Sequence, residues 1–181
     1  MRPIEEHIIL DSDLCNFFID YINNHTASLK KGSNRYGQSG VTTPIEIKSI
    51  PKDFVERLSI FNVSHVNFTE KMDQVNCLFG CKYEIGDSFE KHRDDNTSNY
   101  DSFDIERSKR FKTFIIQLSN SDDYEGGDFI VDNTTAKRTQ GNCICFDCNL
   151  IHEVTEITNG FRYSLVLWLE KENFSVKHSL I

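Results

Sequence analysis

Short segments in which side chains alternate at every second position dominate the chain from residue 74 onward. In the first of them, QVNCLFGCKY, the alternating set comprises Val75, Cys77, Phe79, Cys81 and Tyr83. Successive side chains of a β-strand point to opposite faces of the sheet, so this period predicts a strand. Further strands are predicted over 111–118 (FKTFIIQL), 127–132 (GDFIVD), 142–146 (NCICF) and 162–169 (RYSLVLWL).

Two helices are predicted before these strands. Over 12–23, apolar residues recur with the spacing of one helical face, and Asp11 or Ser12 is a suitable N-cap. That face comprises Leu14, Phe17, Phe18, Tyr21 and Ile22. A second helix is predicted to start near Pro51, and its buried face comprises Phe54, Leu58 and Phe61. We interpret the polar, turn-rich residues 24–44 as a loop.

Two helices followed by many short strands predict an α+β chain, mainly β, whose strands form a sandwich or barrel. A length of 181 residues suits one domain with a sizeable core. We expect a single domain over 1–181, with a helical N-terminal part over about 1–72 and a strand core over about 73–170. The segment 95–109 has no periodicity, and a loop of this length is usually functional or disordered.

The charge and hydropathy of the chain exclude some classes of partner. Acidic residues outnumber basic ones by 28 to 20, which gives a net charge of -8 and disfavours binding to a polyanion. The longest apolar run, LVLWL at 165–169, is far shorter than the roughly 20 residues that cross a bilayer. The first ten residues lack the features of a signal peptide. We expect a soluble, intracellular protein, in the cytoplasm, that does not engage membranes.

Six cysteines raise the alternative of a structural zinc site. Such a site needs four converging ligands, usually from CxxC-type turns. Cys77 and Cys81, and likewise Cys143 and Cys145, have an even spacing inside predicted strands, so each pair shares one face. Cysteine packs there as a small apolar residue. We interpret these residues, together with Cys148, as packing residues that form no disulfides in a reducing compartment.

An HxD pair, His92 and Asp94, lies in FEKHRDDN (89–96), where strand gives way to loop. The plain alternative is a solvated turn, because such pairs are common by chance. Two histidines and one carboxylate on one face can bind iron(II) and leave three positions open. The third ligand must come from a distant strand. Among the six histidines only His152 fits, 60 residues after His92 and just beyond a strand and a short turn.

Arg162 stands at the head of the most apolar predicted strand. Along this strand Arg162, Ser164, Val166 and Trp168 share one face, and Tyr163, Leu165, Leu167 and Leu169 share the other. A buried arginine is costly unless it is paired. A bound dicarboxylate would pair with it through two parallel hydrogen bonds, and Ser164 could donate another. The alternative is a surface acid as the partner.

The order of these motifs resembles the catalytic half of the Fe(II)/2-oxoglutarate-dependent oxygenases, and most of all the prolyl 4-hydroxylase-like group. The residues that carry the resemblance are HRD, YEGGDFIV and GNCICFDCNLIHEVTEITNGFRYSLVLW, within about 80–169. The resemblance implies a double-stranded β-helix, or jelly roll, with N-terminal helices packed on its major sheet. It implies iron ligands at His92, Asp94 and His152, and Arg162 as the anchor of the co-substrate's far carboxylate.

The resemblance extends to five further positions. Tyr83 matches a tyrosine that such enzymes often place in the pocket, and Trp168 could form part of the pocket wall. Some relatives have a tyrosine near Gln117 that binds the co-substrate, so Gln117 could donate instead, or the contact could be absent. Gly126 and Gly127 are expected to form the turn that lets the next strand approach the jelly roll.

The implied chemistry uses Fe(II), with 2-oxoglutarate and O2 as co-substrates and ascorbate as a further cofactor. This chemistry hydroxylates a C–H bond of the substrate. The resemblance favours a peptidyl proline in a protein or peptide as that substrate. Loop 95–109, with Tyr100 and Phe103, is a candidate lid over such a substrate. The alternatives are nucleic-acid demethylation, a free small molecule as substrate, and a jelly-roll binding module without catalysis.

Overall fold

The computed structural model describes residues 3–26, 38–46, 50–51, 53–61, 78–95 and 110–170. Helix α1 covers Ser12–Thr26, and the short helix α2 covers Phe54–Arg57. Asp11 caps α1, because its Oδ1 accepts a hydrogen bond of 2.9 Å from the backbone N–H of Leu14. Both helices lie where the apolar spacing predicts them. Within the described ranges, no helix combines the length and the apolar character that crossing a membrane would require.

Twelve β-strands lie before, between and after these helices in the described part of the chain. They are β1 (Glu5–Ile8), β2 (Val41–Ile45), β3 (Leu78–Tyr83), β4 (Phe89–His92), β5 (Arg110–Gln117), β6 (Tyr124–Gly126), β7 (Phe129–Val131), β8 (Thr134–Thr135), β9 (Asn142–Asp147), β10 (His152–Val154), β11 (Ile157–Gly160) and β12 (Arg162–Glu170). The five strands predicted from the alternation correspond to β3, β5, β7, β9 and β12.

The strands form two larger antiparallel sheets and one ribbon. A six-stranded major sheet has the order β1-β9-β5-β12-β3-β2, a four-stranded minor sheet has the order β4-β10-β7-β8, and β11 pairs with β6. The two larger sheets share one apolar cluster. Ile144 and Phe146 of the major sheet meet Phe129 and Val131 of the minor sheet there. This arrangement of two facing antiparallel sheets is that of a jelly roll.

The other face of the major sheet is covered by the helices. Phe18 and Ile22 of α1 and Phe54 of α2 belong to a second apolar cluster, together with Leu165 and Leu167 of β12. In addition, Tyr163 Oη donates a hydrogen bond of 2.9 Å to Asn23 Oδ1 in α1. Strand β12 therefore separates the helix-facing cluster from the space between the sheets. Its odd-numbered and even-numbered side chains lie on the opposite faces that the alternation predicts.

The N-terminal part is not only helical, because it contributes β1 and β2 to the major sheet. Strand β2 lies partly within residues 24–44, which the sequence predicts to be a loop. It pairs with β3 at the edge of the sheet, and Pro44 faces Phe79 in the register. Proline is tolerated on an edge strand because its missing N–H is not needed for a further neighbour. This edge position explains why the segment carries turn-like residues and still forms a strand.

The Gly126–Gly127 turn leads from β6 into the minor sheet, as predicted. Both residues have a positive φ, of 70° and 62°. A Cβ at Gly126 would lie 2.1 Å from the backbone oxygen of Glu156, and a Cβ at Gly127 would lie 2.2 Å from Ile157 Cδ1 and 3.1 Å from Arg162 Cδ. Glycine is required here for its backbone conformation and for close approach.

Candidate active site

A cavity of about 390 Å³ opens between the two larger sheets. Its volume lies within the range that is usual for small-molecule sites. The residues that line it come from both sheets. They include Tyr83, His92, Asp94, His152, Arg162 and Trp168. The cavity therefore collects most of the side chains that the sequence predicts for the site.

Three of these side chains converge at one point of the cavity. His92 at the end of β4 and His152 at the start of β10 are direct partners in the antiparallel register. The carboxylate of Asp94 lies beside both, with Oδ1 at 3.8 Å from His92 Nε2 and Oδ2 at 3.5 Å from His152 Nε2. One ligand atom from each residue lies within 4.8 Å of the other two. This spacing would allow a single metal ion to contact all three.

The two imidazoles are held in one tautomer by backbone carbonyls. Nδ1 of His92 lies 2.7 Å from the carbonyl oxygen of Glu90, and Nδ1 of His152 lies 3.0 Å from that of Leu150. A carbonyl oxygen can only accept, so each Nδ1 carries the proton and donates it. In the unprotonated form of each ring the lone pair would then be on Nε2, the atom that faces Asp94. This is the arrangement in which a metal-binding histidine is usually oriented.

Asp94 is buried and remains ionised. Burial raises the pKa of its carboxyl group, but His152, His92 and the Thr113 hydroxyl together hold the pKa below its usual value. The backbone N–H of Asp94 donates a hydrogen bond of 2.9 Å to the carbonyl oxygen of Cys148. The carboxylate is therefore fixed at both its backbone and its side chain, close to the two histidines. Asp95 is not part of the converging group.

Arg162 also lines the cavity and is only 1% exposed. Its Nη1 donates to Ser164 Oγ at 3.2 Å, whereas its Nε has no hydrogen-bond partner. Within the described ranges no carboxylate forms an ion pair with it, so the surface-acid alternative finds no support there. An uncompensated guanidinium is strongly unfavourable in an interior. The cavity therefore has an unpaired positive charge where an anionic ligand could bind.

Two further predicted residues lie beside this guanidinium. Ser164 lines the cavity. Tyr83 is the register partner of Arg162, and the guanidinium carbon lies 5.7 Å from the centre of the tyrosine ring. Burial raises the pKa of the Tyr83 hydroxyl, which keeps it protonated. Gln38 Nε2 donates a hydrogen bond of 3.1 Å to this hydroxyl, so the hydroxyl proton can point elsewhere.

Gln117 is not placed to donate a hydrogen bond to the co-substrate. It is buried, but it does not line the cavity, and its Nε2 donates to Tyr124 Oη at 3.0 Å and to the Ser119 carbonyl at 3.4 Å. The amide donor of Gln117 is thus used by Tyr124 and Ser119. This placement favours the alternative in which Gln117 makes no contact with the co-substrate. Trp168 does line the cavity, where its ring packs edge-on against Phe79. Tyr100 and Phe103, the candidate lid residues, lie outside the described residues.

Two residues near the site were missed by the sequence reasoning. Gln38 lies in the segment interpreted as a loop, where no pattern distinguishes it. Thr113 donates a hydrogen bond of 2.6 Å from Oγ1 to Asp94 Oδ2 and is fully buried. A signal for Thr113 did exist, because the alternation of the predicted strand 111–118 puts it on the same face as Gln117. A polar side chain on a buried strand face needs a partner.

The cysteines do not form a second metal site in the described part of the chain. Five of them are described, and all five are buried and free. Cys143 and Cys145 belong to the helix-facing cluster, whereas Cys81 lies between the sheets. Burial raises the pKa of the Cys81 thiol to about 11 and that of Cys145 to about 12, so both stay protonated and uncharged. Their placement agrees with the interpretation as packing residues.

Solved structures with the same fold include two prolyl hydroxylases. A prolyl-4-hydroxylase of Pseudomonas putida superposes with a TM-score of 0.69 at 12% identity, over 95% of this chain and 94% of that chain. A viral collagen prolyl hydroxylase of Paramecium bursaria Chlorella virus-1, in complex with 2OG, gives a TM-score of 0.64 at 16% identity, over 94% and 97%. The prediction of a mainly β jelly roll is confirmed by this likeness.

Curated relatives match a shorter part of the chain. A PKHD-type hydroxylase of Idiomarina loihiensis is 26% identical over 93 residues, which are 49% of this chain and 39% of that protein. A PKHD-type hydroxylase of Acinetobacter baumannii is 31% identical over 103 residues, which are 55% of this chain and 44% of that protein. The chain thus spans less than half the length of these relatives.

The sequence model of the 2OG-Fe(II) oxygenase superfamily matches residues 78–170, just over half of the chain. The matched range runs from β3 to β12 and contains the converging group His92, Asp94 and His152 as well as Arg162. Because this match covers more than half of the chain, the chain belongs to the 2OG-Fe(II) oxygenase superfamily.

Proposed function

We propose that the protein is an Fe(II)- and 2-oxoglutarate-dependent dioxygenase that hydroxylates a substrate C–H bond. One observation carries this proposal: a two-histidine, one-carboxylate group and a buried, unpaired arginine line the same cavity. The group alone would fit several metals. The arginine adds a requirement for an anion at a second point of the cavity. Membership of the superfamily then identifies the metal as iron(II) and the anion as 2-oxoglutarate.

The residues present fit iron(II). Two neutral imidazole nitrogens and one carboxylate on one side of an ion leave the remaining coordination positions open, which is the pattern of non-haem iron(II) oxygenases. His92, Asp94 and His152 are the proposed ligands. Their Nε2 atoms are available because both Nδ1 atoms donate to carbonyls. The carboxylate stays ionised because the neighbouring histidines and Thr113 outweigh the effect of burial on its pKa.

The residues around Arg162 fit a dicarboxylate. The guanidinium would bind the far carboxylate of 2-oxoglutarate through charge-assisted hydrogen bonds. The carboxylate would give the Arg162 Nε a hydrogen-bond partner and would balance the charge of the guanidinium. Ser164 Oγ, which accepts from Arg162 Nη1, can donate its own proton to the same carboxylate. The Tyr83 hydroxyl is a further donor because Gln38 supplies the hydrogen bond that it accepts.

In the proposed reaction, iron(II) supplies the oxidative decarboxylation of 2-oxoglutarate by O2, which yields succinate, carbon dioxide and the hydroxylated product. The protein would hold the ligands, orient the co-substrate with Arg162 and limit the access of water to the site. The apolar wall formed by Phe79, Val166 and Trp168 serves this last role. Ascorbate is proposed as a further cofactor, and omitting it from the assay tests that part separately.

For the substrate we propose a peptidyl proline in a protein or peptide. The support is the family to which the chain belongs together with the names of the similar structures, several of which are prolyl hydroxylases. The net charge of -8 disfavours a nucleic-acid substrate. A free small molecule or amino acid is the main competing substrate class. A binding module without catalysis is disfavoured because all three proposed ligands and the arginine are present.

The experiment is succinate release from 2-oxoglutarate by the iron-loaded protein, with a panel of proline-rich peptides, methylated oligonucleotides and free amino acids. A proline-containing peptide should stimulate succinate release and gain the mass of one oxygen atom. The matched control is His152→Ala, which should release no succinate. Stimulation by oligonucleotides or amino acids alone would refute the proline proposal and leave the dioxygenase proposal intact. Absence of any 2-oxoglutarate turnover, with every substrate and without one, would refute both.

A further inference from the structure

A chain of three polar groups leads away from the proposed iron ligand Asp94. The hydroxyl of Thr113 donates to Asp94 Oδ2 across 2.6 Å, and Cys148 Sγ lies 3.2 Å from the same hydroxyl oxygen. Thr113 is fully buried, Cys148 is 1% exposed and Asp94 is 3% exposed. All three groups are therefore shielded from water, so their hydrogen bonds are made within the protein.

The direction of the bonds follows from counting protons. A threonine hydroxyl has one proton, and a carboxylate can only accept, so the Thr113 proton is directed at Asp94. The contact between Cys148 and Thr113 therefore needs its proton from the thiol. The order of donation is thus Cys148 S–H to Thr113 O–H to the Asp94 carboxylate.

We propose that Cys148 and Thr113 form a donor relay that positions Asp94 as an iron ligand, so that Cys148 has a role beyond packing. The inference rests on the proposed function, because it treats Asp94 as a ligand. Successive hydrogen bonds polarise one another, so the thiol strengthens the bond from Thr113 to the carboxylate. That bond stops rotation of the carboxylate and withdraws charge from Oδ2. Both effects set how strongly Asp94 binds a cation.

The backbone of Cys148 supports the same role. Its carbonyl oxygen accepts hydrogen bonds from Asp94 N at 2.9 Å and Asp95 N at 3.2 Å, and its N–H donates to the Phe111 carbonyl of β5 at 3.1 Å. Cys148 also precedes His152 by only four residues, in the connection from β9 to β10. One residue therefore links the Asp94 segment, the major sheet and the connection that leads to His152.

The relay is tested first in the metal-free protein, by infrared spectroscopy of the S–H stretching bands. The difference between wild type and Cys148→Ala identifies the Cys148 band. In Thr113→Val, which removes the acceptor and keeps the shape, this band should move to higher frequency, whereas in Thr113→Ser it should stay near its wild-type position. A band that does not move in Thr113→Val would overturn the thiol-to-hydroxyl bond.

The second measurement is iron(II) affinity under anaerobic conditions. Loss of a group that orients a ligand typically lowers metal affinity by about 10–100-fold, which is the effect expected for Thr113→Val. Thr113→Ser should restore the affinity, and Cys148→Ala should lower it by a smaller factor. The matched control is Cys145→Ala, which removes a buried cysteine of the helix-facing cluster and should leave the affinity unchanged.

The two measurements separate this inference from the proposed function. A shifted band with no iron binding by the wild type would support the hydrogen bond from Cys148 to Thr113 but overturn the positioning role together with the iron site. Normal iron binding by Thr113→Val, or an affinity of Cys148→Ala equal to that of Cys145→Ala, would overturn the positioning role while the iron site stands. If Thr113→Val does not fold, the comparison of Cys148→Ala with Cys145→Ala decides the question, because only Cys148→Ala removes the proposed donor to Thr113.

Discussion

Replacing Gly127 with alanine should damage both stability and co-substrate binding. Gly127 has a φ of 62°, and a Cβ there would meet Ile157 Cδ1 at 2.2 Å, Arg162 Cδ at 3.1 Å and Tyr124 Cε2 at 3.2 Å. The left-handed backbone conformation costs a non-glycine residue about 1–2 kcal/mol. Overpacking in a close-packed interior costs about 1–3 kcal/mol more. The free energy of unfolding should therefore fall by about 2–5 kcal/mol in Gly127→Ala.

A matched control separates the two contributions. Gly86 also has a positive φ, of 86°, but a Cβ there would have nothing within 4 Å. Gly86→Ala should therefore show only the backbone cost, about 1–2 kcal/mol. Chemical unfolding of both variants, followed by one probe over the same denaturant range, gives the difference between them.

The same substitution should displace Arg162 from its place in the cavity. Charge-assisted hydrogen bonds contribute about 1.5–3 kcal/mol each, and losing about 1.4 kcal/mol weakens binding about tenfold. We expect 2-oxoglutarate to bind about tenfold more weakly to iron-loaded Gly127→Ala, and with wild-type affinity to Gly86→Ala. Equal destabilisation of the two variants together with unchanged 2-oxoglutarate affinity would show that close packing of Gly127 against Arg162 is not important.

Four further outcomes are expected. Arg162→Ala should weaken 2-oxoglutarate binding by about 1.5–3 kcal/mol in titration calorimetry and leave iron affinity nearly unchanged; equal loss of both would indicate a structural arginine. His152→Ala should abolish iron binding and the visible charge-transfer band that 2-oxoglutarate induces, and a normal band would contradict the ligand assignment. Gln38→Leu should raise the KM for 2-oxoglutarate, but should have no such effect in a Tyr83→Phe background, because it acts through that hydroxyl. Purified protein should hold no zinc after mild chelation and should stay folded; tightly held stoichiometric zinc, measured by elemental analysis, would revive the cysteines as ligands.

Much of the site could be predicted because its residues follow strong local rules. The alternation along 162–169 assigns Arg162 to one face and Leu165 to the other, and this depends only on strand geometry. The pairing of His92 with His152 could not be derived from alternation, but their placement near strand ends and their spacing identified them. The motif order then made the resemblance specific.

What could not be predicted depends on contacts between distant segments. Strand β2 has turn-like residues, and only its place at the sheet edge makes it a strand. Gln117 looks like a donor for the co-substrate, yet Tyr124, which follows it by seven residues, takes its amide hydrogen bond. The even spacing of cysteines correctly indicates packing for Cys143 and Cys145, but it does not indicate the contact of Cys148 with Thr113, since that depends on how the β9–β10 connection folds back.

The two faces of β12 have a consequence for how this chain can change in length. Positions 162, 164, 166 and 168 line the cavity, whereas positions 163, 165, 167 and 169 contact the helix-facing cluster. A single-residue insertion or deletion within the strand would exchange the two sets, because a slip of one residue moves every side chain to the opposite face. The guanidinium would then point at leucines and the leucines at the cavity. Insertions are therefore compatible with the loops that connect the strands, while β12 can vary only by substitution.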